Sequence, residues 1–160
     1  MKFLVMSDTH GNYPLALRAE ELAGDIDAII HLGDGVNDAI LLSQALDIEV
    51  IMVAGNCDLG VAAPREMLWE CEGYRILLVH GDRYGVKYNL ERLKLRSLEV
   101  KADIVLYGHT HIATITKTSD ILFINPGTLI KSNQYKSFAI LALDIDGATA
   151  RIQGIPKTMS

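Results

Sequence analysis

The sequence predicts an α/β fold in which two packed β-sheets carry their helices outside. Three observations carry that prediction. Short apolar runs alternate with stretches of helical periodicity in the first half, and strand-like runs follow one another in the second. In addition, five short segments rich in aspartate, asparagine, histidine and glycine each close an apolar run. The chain has 160 residues, 49% of them hydrophobic, and a mean hydropathy of +0.20, which is enough to build a substantial core. With no internal repeat, low-complexity tract or linker, it reads as one domain over residues 1–160.

Residues 3–6, 28–31 and 50–53 are β-branched or apolar runs of the kind buried on both faces of a parallel sheet. Between them, residues 14–23 and 36–46 place Leu15, Leu17 and Leu22, then Ile40, Leu41 and Ala45, at roughly helical spacing. Pro14 suits the first turn of the first helix, with Asn12 or Tyr13 at the cap. Residues 66–71 and 74–79 flank Glu72-Gly73, a hairpin turn signal. Residues 90–100 carry Leu90, Leu93, Leu95 and Leu98 among charged neighbours and read as a surface helix. Strand-like runs follow at 104–107, 113–117, 121–124, 138–143 and 149–152, with Asp146-Gly147 turning between the last two.

Composition narrows the function. No run approaches the roughly 18 apolar residues of a membrane span, so a soluble chain with no membrane partner is expected. Residues 1–6 read as strand rather than signal peptide, which makes the cytoplasm the expected compartment. Cys57 and Cys71 match no CxxC pattern and read as free thiols. A formal charge of −5 provides no basic footprint for nucleic acid, so affinity for phosphate has to come from metal.

The five segments are Asp8-Thr9-His10, Gly33-Asp34, Gly55-Asn56, Val79-His80-Gly81 and Gly108-His109-Thr110-His111, and they hold four of the five histidines. Each is expected just past the carboxyl end of a strand, where open α/β sheets gather their ligands. Taken singly they are ordinary: Asp-x-His is a turn and a cap, Gly-Asp is turn chemistry, and His80 is a hydrogen-bonded core histidine. Taken together they bring seven nitrogen and oxygen donors to one edge, too many for one tetrahedral zinc but suited to two cations sharing a carboxylate. His31 reads as structural rather than ligating.

In those blocks the sequence resembles the calcineurin-like metallophosphoesterase family, whose motifs run Asp-x-His, Gly-Asp, Gly-Asn, His-Gly and Gly-His-x-His. It is most similar to the small bacterial and archaeal phosphodiesterases of the family, which share Gly55-Asn56-Cys57-Asp58. The resemblance implies a four-layer α/β/β/α sandwich of two mixed β-sheets. It also implies a metal-dependent phosphodiesterase with a dinuclear centre. By motif, Asp8, His10 and His111 would hold one ion, Asn56, His80 and His109 the other, and Asp34 would bridge them. Two ions roughly 3.5–4 Å apart clamp phosphate oxygens and hold a bridging hydroxide for in-line attack. In that scheme Asp34, Asn56, His80 and His109 belong to the catalytic machinery. The mixed donors suit Mn, Fe, Co, Ni or Zn, and the relatives point to Mn or Ni.

One departure stands out. Many members carry a histidine where this chain has Cys57, so the usual general acid is missing and alkyl leaving groups should suffer most. A second reading makes Cys57 a small packing residue beside the metals. Asp58 either hydrogen-bonds a histidine or ties the loop backbone, and Asn125-Pro126-Gly127-Thr128 resembles a family loop near the site although by itself it is only a turn. Two other functions compete. A phosphomonoesterase would want positive groups such as Arg83 or Lys87, and a scaffold like the retromer subunit of eukaryotes would be expected to have lost ligands, whereas none is lost here. Loops 11–13, 35–38, 58–63 and 82–87 are expected to shape a pocket for a small phosphodiester. Leu59, Val61 and the Trp69 strand are candidates for a homo-oligomer interface.

Overall fold

The computed structural model describes residues 1–157 as two five-stranded mixed sheets with helices on the outer faces, the four layers the motifs imply. The elements run β1 (Lys2–Met6), α1 (Tyr13–Ala23), β2 (Ala28–His31), α2 (Val36–Ala45), β3 (Glu49–Met52), β4 (Glu66–Cys71) and β5 (Tyr74–Val79). They continue through α3 (Glu91–Glu99), β6 (Ile104–Leu106), β7 (Thr114–Thr118), β8 (Ile121–Asn125), β9 (Ser137–Asp144) and β10 (Gly147–Gly154), with a single 3-10 turn at Asp82–Tyr84. The first sheet has the order β10-β9-β1-β2-β3, and the second β4-β5-β6-β8-β7. In each, three parallel strands form a block with antiparallel neighbours: β1, β2 and β3 beside β9 and β10, and β5, β6 and β8 between β4 and β7.

Side-chain alternation along the strands builds the layers. Phe3 and Val5 of β1 point into the inter-sheet core with Ile30, Ile76, Leu78 and Leu106, while Leu4 and Met6 face the helices α1 and α2. On the far side, Leu77, Val105 and Phe123 pack under Leu93 of α3. Phe3 meets Trp69 edge to face at 5.3 Å, so the half-buried indole of β4 packs on the inter-sheet core.

Several expectations change. The buried face of α1 is Ala16, Ala19 and Ala23, with the leucines flanking it, because small residues let a helix settle closely on a sheet. In α2 the buried residues are Val36, Asp38, Ala39 and Leu42, whereas Ile40 and Leu41 are exposed. Strand β3 lies at a sheet edge and is only half-buried, not covered on both faces. Pro14 does sit in the first turn of α1 after Asn12.

The topology matters for the site because β1, β2 and β3 run parallel and end on one edge, as do β5 and β6 in the second sheet. His80, after β5, meets the Leu32 carbonyl, after β2, at 2.8 Å, which joins those two edges.

Candidate metal centre

All five blocks lie past strand ends, and the turns there are tight. Asp8, His10, Asp34, His109 and His111 all have positive φ, between 44° and 70°. Left-handed backbone costs a non-glycine residue on the order of 1 kcal/mol, so the surrounding hydrogen bonds must hold these positions. Asp8 N–H donates to the Gly33 carbonyl and His10 N–H to the Asp34 carbonyl, both at 3.0 Å, which laces the first loop to the second. The motif glycines serve close approach: a Cβ at Gly55 would collide with the Asp34 carboxylate, and one at Gly108 with the Ser7 hydroxyl.

Asp8 is fully buried. Its Oδ2 accepts from the Ser7 hydroxyl at 2.6 Å and from His109 N–H at 3.1 Å, while Oδ1 lies 3.1 Å from His111 Nε2 and 3.6 Å from His10 Nε2. Asp34 Oδ1 accepts from Cys57 N–H at 2.8 Å, and its Oδ2 lies 3.3 Å from His80 Nε2 and 3.6 Å from His10 Nε2. His80 and His109 approach ring to ring, Nε2 to Nδ1, at 3.1 Å. The side chains thus fall into Asp8–His10–His111 and Asp34–His80–His109, with ligand atoms in each group within 4.8 Å of one another. A third grouping joins Cys57 to His10 and Asp34. Asn56 is exposed at the rim, its amide 3.5 Å from Cys57 Sγ.

The charges are strongly coupled. Burial pushes the Asp8 pKa up, but His10 beside it, the bonds from His111 and Ser7 and the His80 charge outweigh it and hold the carboxyl well below its usual range. Asp34 is also raised by burial and lowered further by His80 and Cys57 N–H, ending at about 2. Burial lowers the His80 pKa, yet the bond to Asp34 and the two carboxylate charges bring it above its ordinary value. For His10 the neighbouring Asp8 carboxylate raises it, and for His109 burial with the His80 and Lys87 charges lowers it.

This arrangement fits a cation. His80 Nδ1 donates to the Leu32 carbonyl, so in the neutral ring Nε2 is a bare lone pair. That nitrogen faces the carboxylates of Asp34 and Asp8, 3.3 and 3.8 Å away, so a cation taking the place of the Nε2 proton would meet imidazole and carboxylate donors together.

His31 is structural. It is fully buried, Nδ1 accepts from Gly33 N–H at 3.1 Å, and the proton on Nε2 is donated to Thr9 Oγ1 at 3.0 Å. Asp58 ties loop backbone rather than a histidine. Two braces carried no clear sequence signal, Ser7 and Asp38, which accepts from Gly11 N–H at 2.9 Å, whereas Thr128, in the turn the sequence singled out, donates to the Asp8 carbonyl at 3.0 Å. Asn125 donates to Gly108 O and Thr110 Oγ1, so the Asn-Pro-Gly-Thr turn backs the site. A cleft of about 190 Å³ opens beside His10, Asp34 and Cys57, with Asn37, Asp38 and Asp58 on its walls. The 82–87 segment is not among its walls. There Asp82 pairs with Arg65 at 2.5 Å, and Arg83 lines a separate hollow.

Residues 1–147 match the model of the calcineurin-like phosphoesterase superfamily domain. The chain belongs to that superfamily. The probable metallophosphoesterase YsnB of Bacillus subtilis (strain 168) is 34% identical over 94% of this chain and 89% of its own length. Phosphodiesterase YfcE of Escherichia coli (strain K12) is 29% identical over 91% of this chain and 89% of its own. A solved structure of Vps29 complexed with zinc, from Entamoeba histolytica, overlays with a TM-score of 0.81 at 23% identity, covering 99% of this chain and 95% of that one. Metallophosphoesterases use divalent metals, and among the described residues these groups of donors could hold them.

Proposed function

We propose that this phosphoesterase is a metal-dependent phosphodiesterase acting on small phosphodiesters through two divalent ions, with manganese the preferred metal. The observation that carries the reading is the division of the donors into two groups, each built on a buried carboxylate, Asp8 with His10 and His111 and Asp34 with His80 and His109. When bound, such ions neutralise the phosphate and lower the pKa of a water molecule. Asp8, His10 and His111 hold the first ion in this scheme, His80, His109 and, by motif, Asn56 the second, and Asp34 lies between them. The depressed carboxyl pKa values of Asp8 and Asp34 keep both groups anionic, ready to bind metal, at neutral pH. Asp58, Ser7, Asn125 and Thr128 keep the donors in place through hydrogen bonds to the loops. The similarity to proteins named phosphodiesterase favours diesters over monoesters, and the intact donor set favours an enzyme over a scaffold. Cys57 and Cys71 stand as free thiols, which suits a reducing compartment such as the cytoplasm.

The test is hydrolysis of bis(4-nitrophenyl) phosphate and 4-nitrophenyl phosphate by chelator-treated protein, before and after Mn is restored. Activity should vanish and return, with the diester cleaved faster and bound Mn approaching two ions per chain. Full activity in metal-free protein would sink the metal mechanism, and a faster monoester would make the protein a phosphomonoesterase.

A further inference from the structure

A second hollow, of about 600 Å³, lies on the other side of the first loop: His10 and Gly11 line the histidine cleft, whereas Asn12 lines this one. Its cations are Arg18, Lys131, Lys136 and Lys157, and no acidic residue lines it among the described residues. In a chain of net charge −5, four positive side chains around one hollow are a local reversal of sign.

Those charges are available. Among the described residues Lys131 and Lys157 make no ion pair. Arg18 pairs with Glu21 at 2.9 Å, but both side chains are at least half exposed, so the pair exchanges readily for a better acceptor. Lys136 donates to the Asn133 carbonyl at 2.5 Å, which fixes the ammonium without neutralising it.

The start of α1 adds to the field. Asn12 donates its amide to the Leu129 carbonyl at 2.7 Å instead of capping the helix, and no acidic residue occupies the first turn. The positive end of the helix therefore has no acidic residue of its own in the first turn beside the lysines. Leu15, Ile155 and Pro156 supply apolar wall between the charges.

We propose that this hollow is a binding site for a nucleotide-like polyphosphate, with its phosphates on Lys131, Lys136 and Arg18 and its apolar body against Leu15 and Ile155. The site stands apart from the histidine cleft and does not depend on hydrolysis there. Positive charge alone would attract any anion, but the apolar wall selects one that carries a ring system as well as phosphate.

The probe is ADP, titrated calorimetrically into the full chain, with Mn and after chelation. Saturable binding is expected in both states, weakening as salt screens the charges. Lys131→Glu, at an exposed side chain, should weaken it by about tenfold or more, and adding Lys136→Glu should weaken it further. Both variants should retain wild-type melting temperature and aryl-diester turnover. Adenosine should fail to bind measurably, and inorganic pyrophosphate should bind more weakly than ADP. Binding that disappears on chelation would locate the phosphates at the histidine cleft and overturn the proposal, as would undiminished ADP affinity in the charge-reversed chains. Equal affinity for pyrophosphate and ADP would overturn the nucleotide assignment.

Discussion

Asp58 accepts the backbone N–H of Asp34 at 2.6 Å, and the loop carrying Asp58 returns a bond from Cys57 N–H to the Asp34 carboxylate at 2.8 Å. The same Asp58 carboxylate also accepts from Gly55, Gly35 and Val36 N–H, so one side chain closes the loops after β2 and β3 and satisfies the start of α2. Asp34 is thereby held from both its backbone and its side chain.

Replacing Asp58 tests that brace. Asp58→Ala leaves four N–H groups without their acceptor, and partial entry of water limits the loss to on the order of 3 kcal/mol. Mn affinity should fall by about 10- to 100-fold, the usual effect of removing a group that orients a ligand. Thermal unfolding and Mn titration check both, and an unchanged melting temperature with unchanged Mn affinity would remove Asp58 from the account.

The centre of the scheme is Asp34. Asp34→Asn keeps an oxygen for Cys57 N–H but loses the charge set against two dications, so turnover should fall to background while the fold persists. Metal content should drop below two ions per chain. Near-normal turnover with full metal would show that another residue does the bridging.

How much of this was legible depends on whether the information was local. The five blocks could be placed at strand ends because each follows its own apolar run, and the structure puts Asp8, Asp34, His80 and His109 where parallel strands finish. Which face a helix buries was less legible: Ile40 and Leu41 are as apolar as Leu42, yet only Leu42 meets the sheet. The pairing of β1 with β9 joins residues at opposite ends of the chain, and no local period encodes it. Asp58 and Thr128 were marked by their motifs, but their partners, like that of Asp38, are backbone groups of distant segments that no residue type announces.

His31 gives a pH signature. Burial lowers its pKa to about 4 from an ordinary 6.5, and a proton on Nδ1 would face Gly33 N–H. As pH falls, the unfolded chain takes up this proton first, so folded stability is lost between pH 6.5 and 4 and the loss is complete below that window. This one group accounts for roughly 3 kcal/mol of acid sensitivity. Denaturant unfolding of chelated protein across that range should be less steep in pH for His31→Asn than for wild type, even if the variant is less stable throughout. Identical pH slopes would show that His31 is not the group concerned.

The last prediction concerns proton delivery to the leaving group. Cys57 Sγ lies within 4.8 Å of ligand atoms of His10 and Asp34, so position 57 faces the chemistry. Burial and the Asp34 charge raise the thiol pKa further, leaving a weak donor at neutral pH. Wild type should therefore depend steeply on the leaving group, cleaving a nitrophenyl diester far faster than an alkyl diester. Cys57→His should flatten that dependence by accelerating alkyl esters, with a ceiling of about 10²–10⁴-fold for a well-placed general acid. Metal analysis must accompany the kinetics, because the new imidazole has carboxylates and histidines close by and can become a ligand instead. A gain confined to alkyl esters, at unchanged metal content, identifies proton donation. A wild type with little leaving-group dependence already has another donor or is limited by a different step, and the reading of Cys57 as a missing acid then fails.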